Sequence, residues 1–159
     1  MTGTMGTTRP AGRRVALGIA SVLTADAALH IYWTTGARWP AGSTRELSNA
    51  VLGFVVPFTP PVLLPLAAIL LLASALVLFR GTLGREHRLG WLFQLATMAL
   101  ATGFALRGIL GIVWIFGIGT GSGGPFFWLN LFLYTPLCLA LGVAAVWLSA
   151  PMREFLRER

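Results

Sequence analysis

Three ionisable side chains lie inside long apolar stretches of this chain: Asp26, His30 and Arg107. Asp26 and His30 are four residues apart, so on a helix they share a face and can touch, and Trp33 continues that face. A carboxylate beside an imidazole can fix the ring's tautomer and do general acid–base work. An arginine such as Arg107 can hold an anionic head group or stabilise a developing negative charge. Gln94, Asn130 and Tyr134 are neutral polar companions in similar surroundings. A charge at the centre of hydrocarbon costs about 2.5–3.5 kcal/mol on insertion scales, so each of the three raises a functional question.

Other chemistries find little support. One intramembrane His and one intramembrane Asp are too few ligands for a metal site. A haem would need a second axial ligand, and nothing in the spacing of His30 and Met98 supports that pair. No other cofactor is expected. Gly119–Gly124 has the glycines of a phosphate-binding loop, but no strand precedes it and no Lys follows, so it reads as a plain loop. The single cysteine, Cys138, lies in an apolar run and reads as a small hydrophobe. His87 stands among arginines in a short loop and receives no role.

The elements that must position these residues are membrane helices. Apolar residues make up 56% of the 159, charged residues only 11%, and the mean hydropathy is +0.77. Soluble domains carry about 25% charged residues, so a bilayer is the fitting solvent. Four apolar runs have the length to cross it, at about 14–34, 61–80, 89–116 and 126–149. The fold class expected is therefore all-α, an integral membrane four-helix bundle in one domain, 14–150, packed through Gly and Ala faces. Residues 1–13 read as a disordered tail and 151–159 as a second tail. The outer loop 35–60 is expected to hold a short interfacial helix near Thr44–Phe54, capped by Ser43 or Thr44, and then extended chain.

The basic residues, all Arg, set the topology. Arg9, Arg13, Arg14, Arg80, Arg85, Arg88, Arg153, Arg157 and Arg159 fall on one side of the four spans, against Arg38 and Arg45 on the other. This predicts cytoplasmic N and C termini in the inner (plasma) membrane. The all-Arg composition fits a GC-rich bacterial source. The net charge of +7 does not indicate nucleic acid, because the arginines flank spans and form no basic–aromatic stripe. A rival reading of the start exists. Arg13–Arg14, an apolar stretch and Ala25-Asp26-Ala27 have the order of a cleavable signal. Apolar sequence continuing through Trp33 makes the run span-length and favours an uncleaved anchor.

Depth arithmetic then gathers the polar residues. At about 1.5 Å per residue, Asp26 lies roughly 18 Å and His30 roughly 24 Å above Arg14, and Arg107 roughly 28 Å above Arg88. Asn130 and Tyr134, counted from the other side, fall near the heights of His30 and Asp26. One layer in the outer half of the bilayer thus holds all five. Gly103 and Gly111 flank Arg107 and are expected to let a neighbouring helix approach.

Two readings follow. In the functional one, Asp26, His30, Arg107, Asn130 and Tyr134 line an outward-facing pocket, with Trp33 and Trp128 as apolar walls and the 35–60 loop as cover. The pocket would bind a small lipophilic ligand or lipid at His30, Trp33, Arg107, Asn130 and Tyr134. Its enzymatic alternative makes Asp26 and His30 the catalytic acid–base pair on a lipophilic substrate; no established catalytic motif backs it. In the structural reading Asp26 neutralises Arg107, His30 and Asn130 satisfy each other, and the layer only fixes helix packing, as in an accessory subunit with a membrane-protein partner or in a homo-oligomer.

Several stretches carry a family resemblance. Ala28-Leu29-His30-Ile31-Tyr32-Trp33 with Gly36 and Trp39-Pro40 is one, and its His-x-Tyr-Trp at a span end is distinctive. Arg107-Gly108 is a second. Phe127-Trp128-Leu129-Asn130 leading into Tyr134-Thr135-Pro136-Leu137-Cys138 is the third. Together they resemble a family of small bacterial membrane proteins, domain of unknown function 3995, over roughly residues 15–150. The family pattern has Asp where this chain has Asn130, so no carboxylate is implied there. The resemblance implies four membrane helices and no established activity, and it points to the same polar layer.

Overall fold

The computed structural model describes residues 10–83, 88–119 and 123–149. The tails 1–9 and 150–159, the segment with His87, and positions 120–122 of the glycine loop lie outside them.

All regular structure among the described residues is helical. Helix α1 spans Pro10–Thr34, α2 Thr44–Leu52, α3 Pro60–Leu83 and α4 Gly90–Ile115. The last span is composite: α5 (Pro125–Leu129), a π-helical turn (Asn130–Tyr134) and α6 (Thr135–Ser149). Four segments are long and apolar enough to cross a bilayer: Ala11–Thr34, Pro60–Thr82, Gly90–Ile115 and Pro125–Ser149. The first helix starts at Pro10, earlier than the tail boundary near residue 13 allows. Proline suits the first helical turn, where its missing N–H would have no partner in any case.

Two hairpins make the bundle. Helix α1 packs along α3 and α4 along α6; α3 meets α4 less closely, and α1 touches α6 only sparsely. The half of the bundle that holds the start of α1 and the end of α6, here the terminal half, has a closed core. Ala16, Ile19 and Leu23 meet Val77, Ala101, Leu141, Ala145 and Leu148 there, all buried. At its edge the buried Arg80 donates from Nε to Gln94 Oε1 (3.2 Å), and Gln94 Nε2 donates to the Ser149 carbonyl, tying α3, α4 and α6 together. Side chains such as Ile69, Leu72 and Val143 point outward, as hydrocarbon requires and water would punish.

The opposite, α2 half is built differently. Helix α2 lies across the ends of the spans, close to its expected place. Ser43 caps it by accepting from the Glu46 N–H at 3.2 Å, and Gly53, at φ 82°, ends it. Buried Ser48 then pins the extended chain that follows, donating to the Phe54 carbonyl and accepting from the Val56 N–H. Leu47 of α2 packs with Trp33 and Leu63 in a small second core.

Candidate functional site

The π turn in the last span has a cause in the sequence. Pro136 has no N–H to give, and its ring would meet the carbonyl four residues back, at Phe132. The turn before it widens, and the Thr135 N–H reaches the Asn130 carbonyl. Such turns occur often at functional sites. This one turns Asn130 inward, 1% exposed, and sets Thr135 beneath it.

Asn130 is held at both ends of its amide. Its Nδ2 donates to the Gly111 carbonyl at 2.8 Å, and its Oδ1 accepts from Thr135 Oγ1 at 3.2 Å and from Arg107 Nη1 at 3.1 Å. Gly111 is what makes this approach fit, since a Cβ there would run into the Thr135 hydroxyl. A Cβ at Gly108 would strike Leu139. Gly108 and Gly111 share the face toward α6. Gly103, expected in that role, lies off the face in open space.

Arg107 therefore points into the bundle and does not snorkel to the head groups. Its guanidinium carbon stands 4.9 Å from the centre of the Trp114 ring and 5.6 Å from that of Tyr134, both within cation–π range. Asn130 takes one of its donors, and among the described residues no carboxylate pairs with it. Most of the guanidinium's hydrogen-bonding capacity remains open. Above it lies an aromatic roof. Phe126, buried, packs edge-on to Trp114 (5.4 Å) and leans on Tyr134 (6.5 Å). Helix α2 rests on this roof, with Gly53 against the Phe126 ring and the Ala50 carbonyl 3.5 Å from the Tyr134 hydroxyl.

Asp26 approaches from the other hairpin. It belongs to the inward stripe of α1, between buried Leu23 and buried His30, yet its side chain is 49% exposed. Tyr134 and Cys138 lie one turn apart on the last span, with the Tyr134 ring under the Arg107 guanidinium. Asp26 and Arg107 form no ion pair with each other among the described residues.

His30 and Trp33 go elsewhere. The His30 Nδ1 lies 2.8 Å from the Asp26 carbonyl and 3.4 Å from its carboxylate. A carbonyl can only accept, so Nδ1 carries the proton. The His30 ring meets Trp33 edge-on at 5.3 Å, and Trp33 leans on Phe58 and donates from Nε1 to the Trp39 carbonyl (3.0 Å). These two residues belong to the small core under α2. Trp128, expected as a pocket wall, is half exposed and stacks on Phe132 on the outer surface. Neither pair of the purely structural reading, Asp26 with Arg107 or His30 with Asn130, forms among the described residues.

Of the six residues expected at the site, Arg107, Asn130 and Tyr134 meet directly, while Asp26 is half exposed and pairs with His30. Sequence reading missed Trp114 and Thr135. Trp114 is seven residues after Arg107, which puts it on the same helix face, and that spacing was the available signal. A separate open groove of about 440 Å³ runs between α4 and α6 on the lipid side, lined by Met98, Ala101, Ala105 and Val146 among others. It includes none of the six. Among the described residues no group of three or more His, Cys, Asp or Glu could hold a metal.

The family described as "Protein of unknown function (DUF3995)" matches residues 23–145, a stretch that contains every residue of this layer. At more than half of the 159 residues, that match shows the chain to be a member of the family. No curated protein matches it, and no solved structure does.

Proposed function

We propose that this protein binds a small amphiphile or lipid, holding a negatively charged head group with Arg107 in the α2 half of the bundle. The observation that carries the reading is the state of Arg107. Its guanidinium is turned inward, steadied by Asn130, Trp114 and Tyr134, and no carboxylate among the described residues neutralises it. A charge kept this way in an apolar layer calls for an anion from outside the chain. The aromatic roof and α2 cover the axial approach, and the loosely packed seam between α1 and α6 supports a lateral one from the bilayer.

We place both termini in the cytoplasm and α2 outside, in the plasma membrane of a bacterium, on the strength of the arginine bias. The acid–base alternative draws less support, because His30 is buried beside Trp33 with Nδ1 engaged by a backbone carbonyl.

Thermal unfolding in mild detergent tests the reading. Phosphatidylglycerol in excess should raise the Tm of the wild-type protein, by linkage worth about 2.7 kcal/mol at a hundredfold excess over Kd. Arg107→Gln should unfold at a similar temperature without lipid and lose that rise. Equal rises in the two proteins would sink the proposal.

A further inference from the structure

Asn130 is buried with a neutral oxygen set against a cation, and the groups around it allow its amide one orientation. The Gly111 carbonyl can only accept, so the atom 2.8 Å from it is the amide nitrogen. Arg107 can only donate, so its Nη1, 3.1 Å away, meets the amide oxygen. Thr135 Oγ1, itself buried, gives that oxygen a second donor at 3.2 Å. A reversed amide would set N–H against N–H at Arg107 and oxygen against oxygen at Gly111. At 1% exposure no water repairs either clash.

Residue 130 must therefore offer an acceptor to Arg107 and a donor to the backbone of the same helix one turn further on. Asn does both and carries no charge. An aliphatic side chain would do neither. A carboxylate would supply the acceptor but cancel the arginine's charge, and it would stand anion against carbonyl at Gly111. The rings of Trp114 and Tyr134 attract the guanidinium without neutralising it. The direction of Arg107 and its charge are thus handled separately: the first is fixed inside the chain, the second is left over.

Resting on the amphiphile reading, we infer that Asn130 is the residue that sets the charge of the ligand. By holding Arg107 with a neutral oxygen, it makes the site select an anionic head group over an uncharged one. Asn130 acts through Arg107 and is a positioning residue; the head group meets the guanidinium.

The experiment is lipid binding to the full-length protein in mild detergent, read by native mass spectrometry. The probes are phosphatidylglycerol and diacylglycerol with the same acyl chains. The wild type should hold phosphatidylglycerol at least about tenfold more tightly, the size of one charge-assisted contact. Asn130→Asp sets a counter-charge beside Nη1 and should bring that ratio close to one, with diacylglycerol bound as in the wild type. Asn130→Ala removes the oxygen and adds no charge. It should bind phosphatidylglycerol about fivefold more weakly and still prefer it to diacylglycerol. Should Asn130→Asp fail to fold, Asn130→Ala decides alone: weaker binding with the preference kept supports the inference, and wild-type affinity or a lost preference overturns it. A folded Asn130→Asp with the wild-type ratio would overturn it too, and leave the amphiphile site standing. A preference for phosphatidylglycerol that is missing in the wild type, or untouched by Arg107→Gln, would remove the site itself and this inference with it.

Discussion

The two halves of the bundle are made from the same four helices and solve the problem of hydrocarbon in opposite ways. In the terminal half, Ala16, Ile19, Leu23, Leu141 and Ala145 close on one another, and small side chains let the backbones approach. Its polar groups, Arg80, Gln94 and Ser149, bond to each other at the rim. In the α2 half, inward-facing positions hold Asp26, Arg107 and Tyr134, and these stay partly exposed within the fold. One half is filled by the chain itself. The other turns Arg107 inward and roofs it with Trp114, Phe126 and α2. The difference teaches where to look for function: at an inward face whose side chains are neither packed nor neutralised.

That contrast can be broken by substitution. The largest effect belongs to the filled half. Leu23→Ala should cost about 2–5 kcal/mol of stability through the cavity it leaves, measured by thermal unfolding in detergent. The rise in Tm on adding lipid should stay as in the wild type. A variant that lost the lipid response as well would show that the two halves are not separable.

Gly111→Val comes next. The added carbons meet Thr135 and Asn130, so α4 and the π turn must separate, at a cost of about 1–3 kcal/mol. Because Asn130 steadies Arg107, lipid response should fall together with stability here, unlike in Leu23→Ala. An unchanged lipid response in a destabilised Gly111→Val would detach Asn130 from the site.

The smallest effect is expected at Trp128. It stacks on Phe132 on the outer surface, away from the charges. Trp128→Ala should shift stability by no more than about 0.5 kcal/mol and leave lipid binding alone, in the same two assays. A large loss of binding would return Trp128 to the pocket wall that its sequence position suggested.

Much of this arrangement was legible in the sequence, and the reasons are physical. Span number and length follow from apolar runs, because hydrocarbon leaves the backbone no other partners. Helix α2 announced itself through the cap candidates Ser43 and Thr44 and the flanking Pro and Gly. That Arg107, Asn130 and Tyr134 share one layer followed from depth, which needs only a rise per residue. Rotation about each helix axis and the order of helices around the bundle do not follow from depth. That is why Trp33 and Trp128 were expected beside Arg107 and are not there. It is also why Gly103 reads as a packing position, although Gly108 is the glycine that faces α6. Pro136 carried the signal for the π turn, but what such a turn aims inward depends on the neighbouring helix, here through Gly111.

The most direct measurement is native mass spectrometry of the wild-type protein and Arg107→Gln, released side by side from gentle micelles. One stoichiometric amphiphile should travel with the wild type and none with the variant, with both proteins folded. The same mixed phospholipids on both, in the same amounts, would contradict it and leave the polar layer as a device for packing helices.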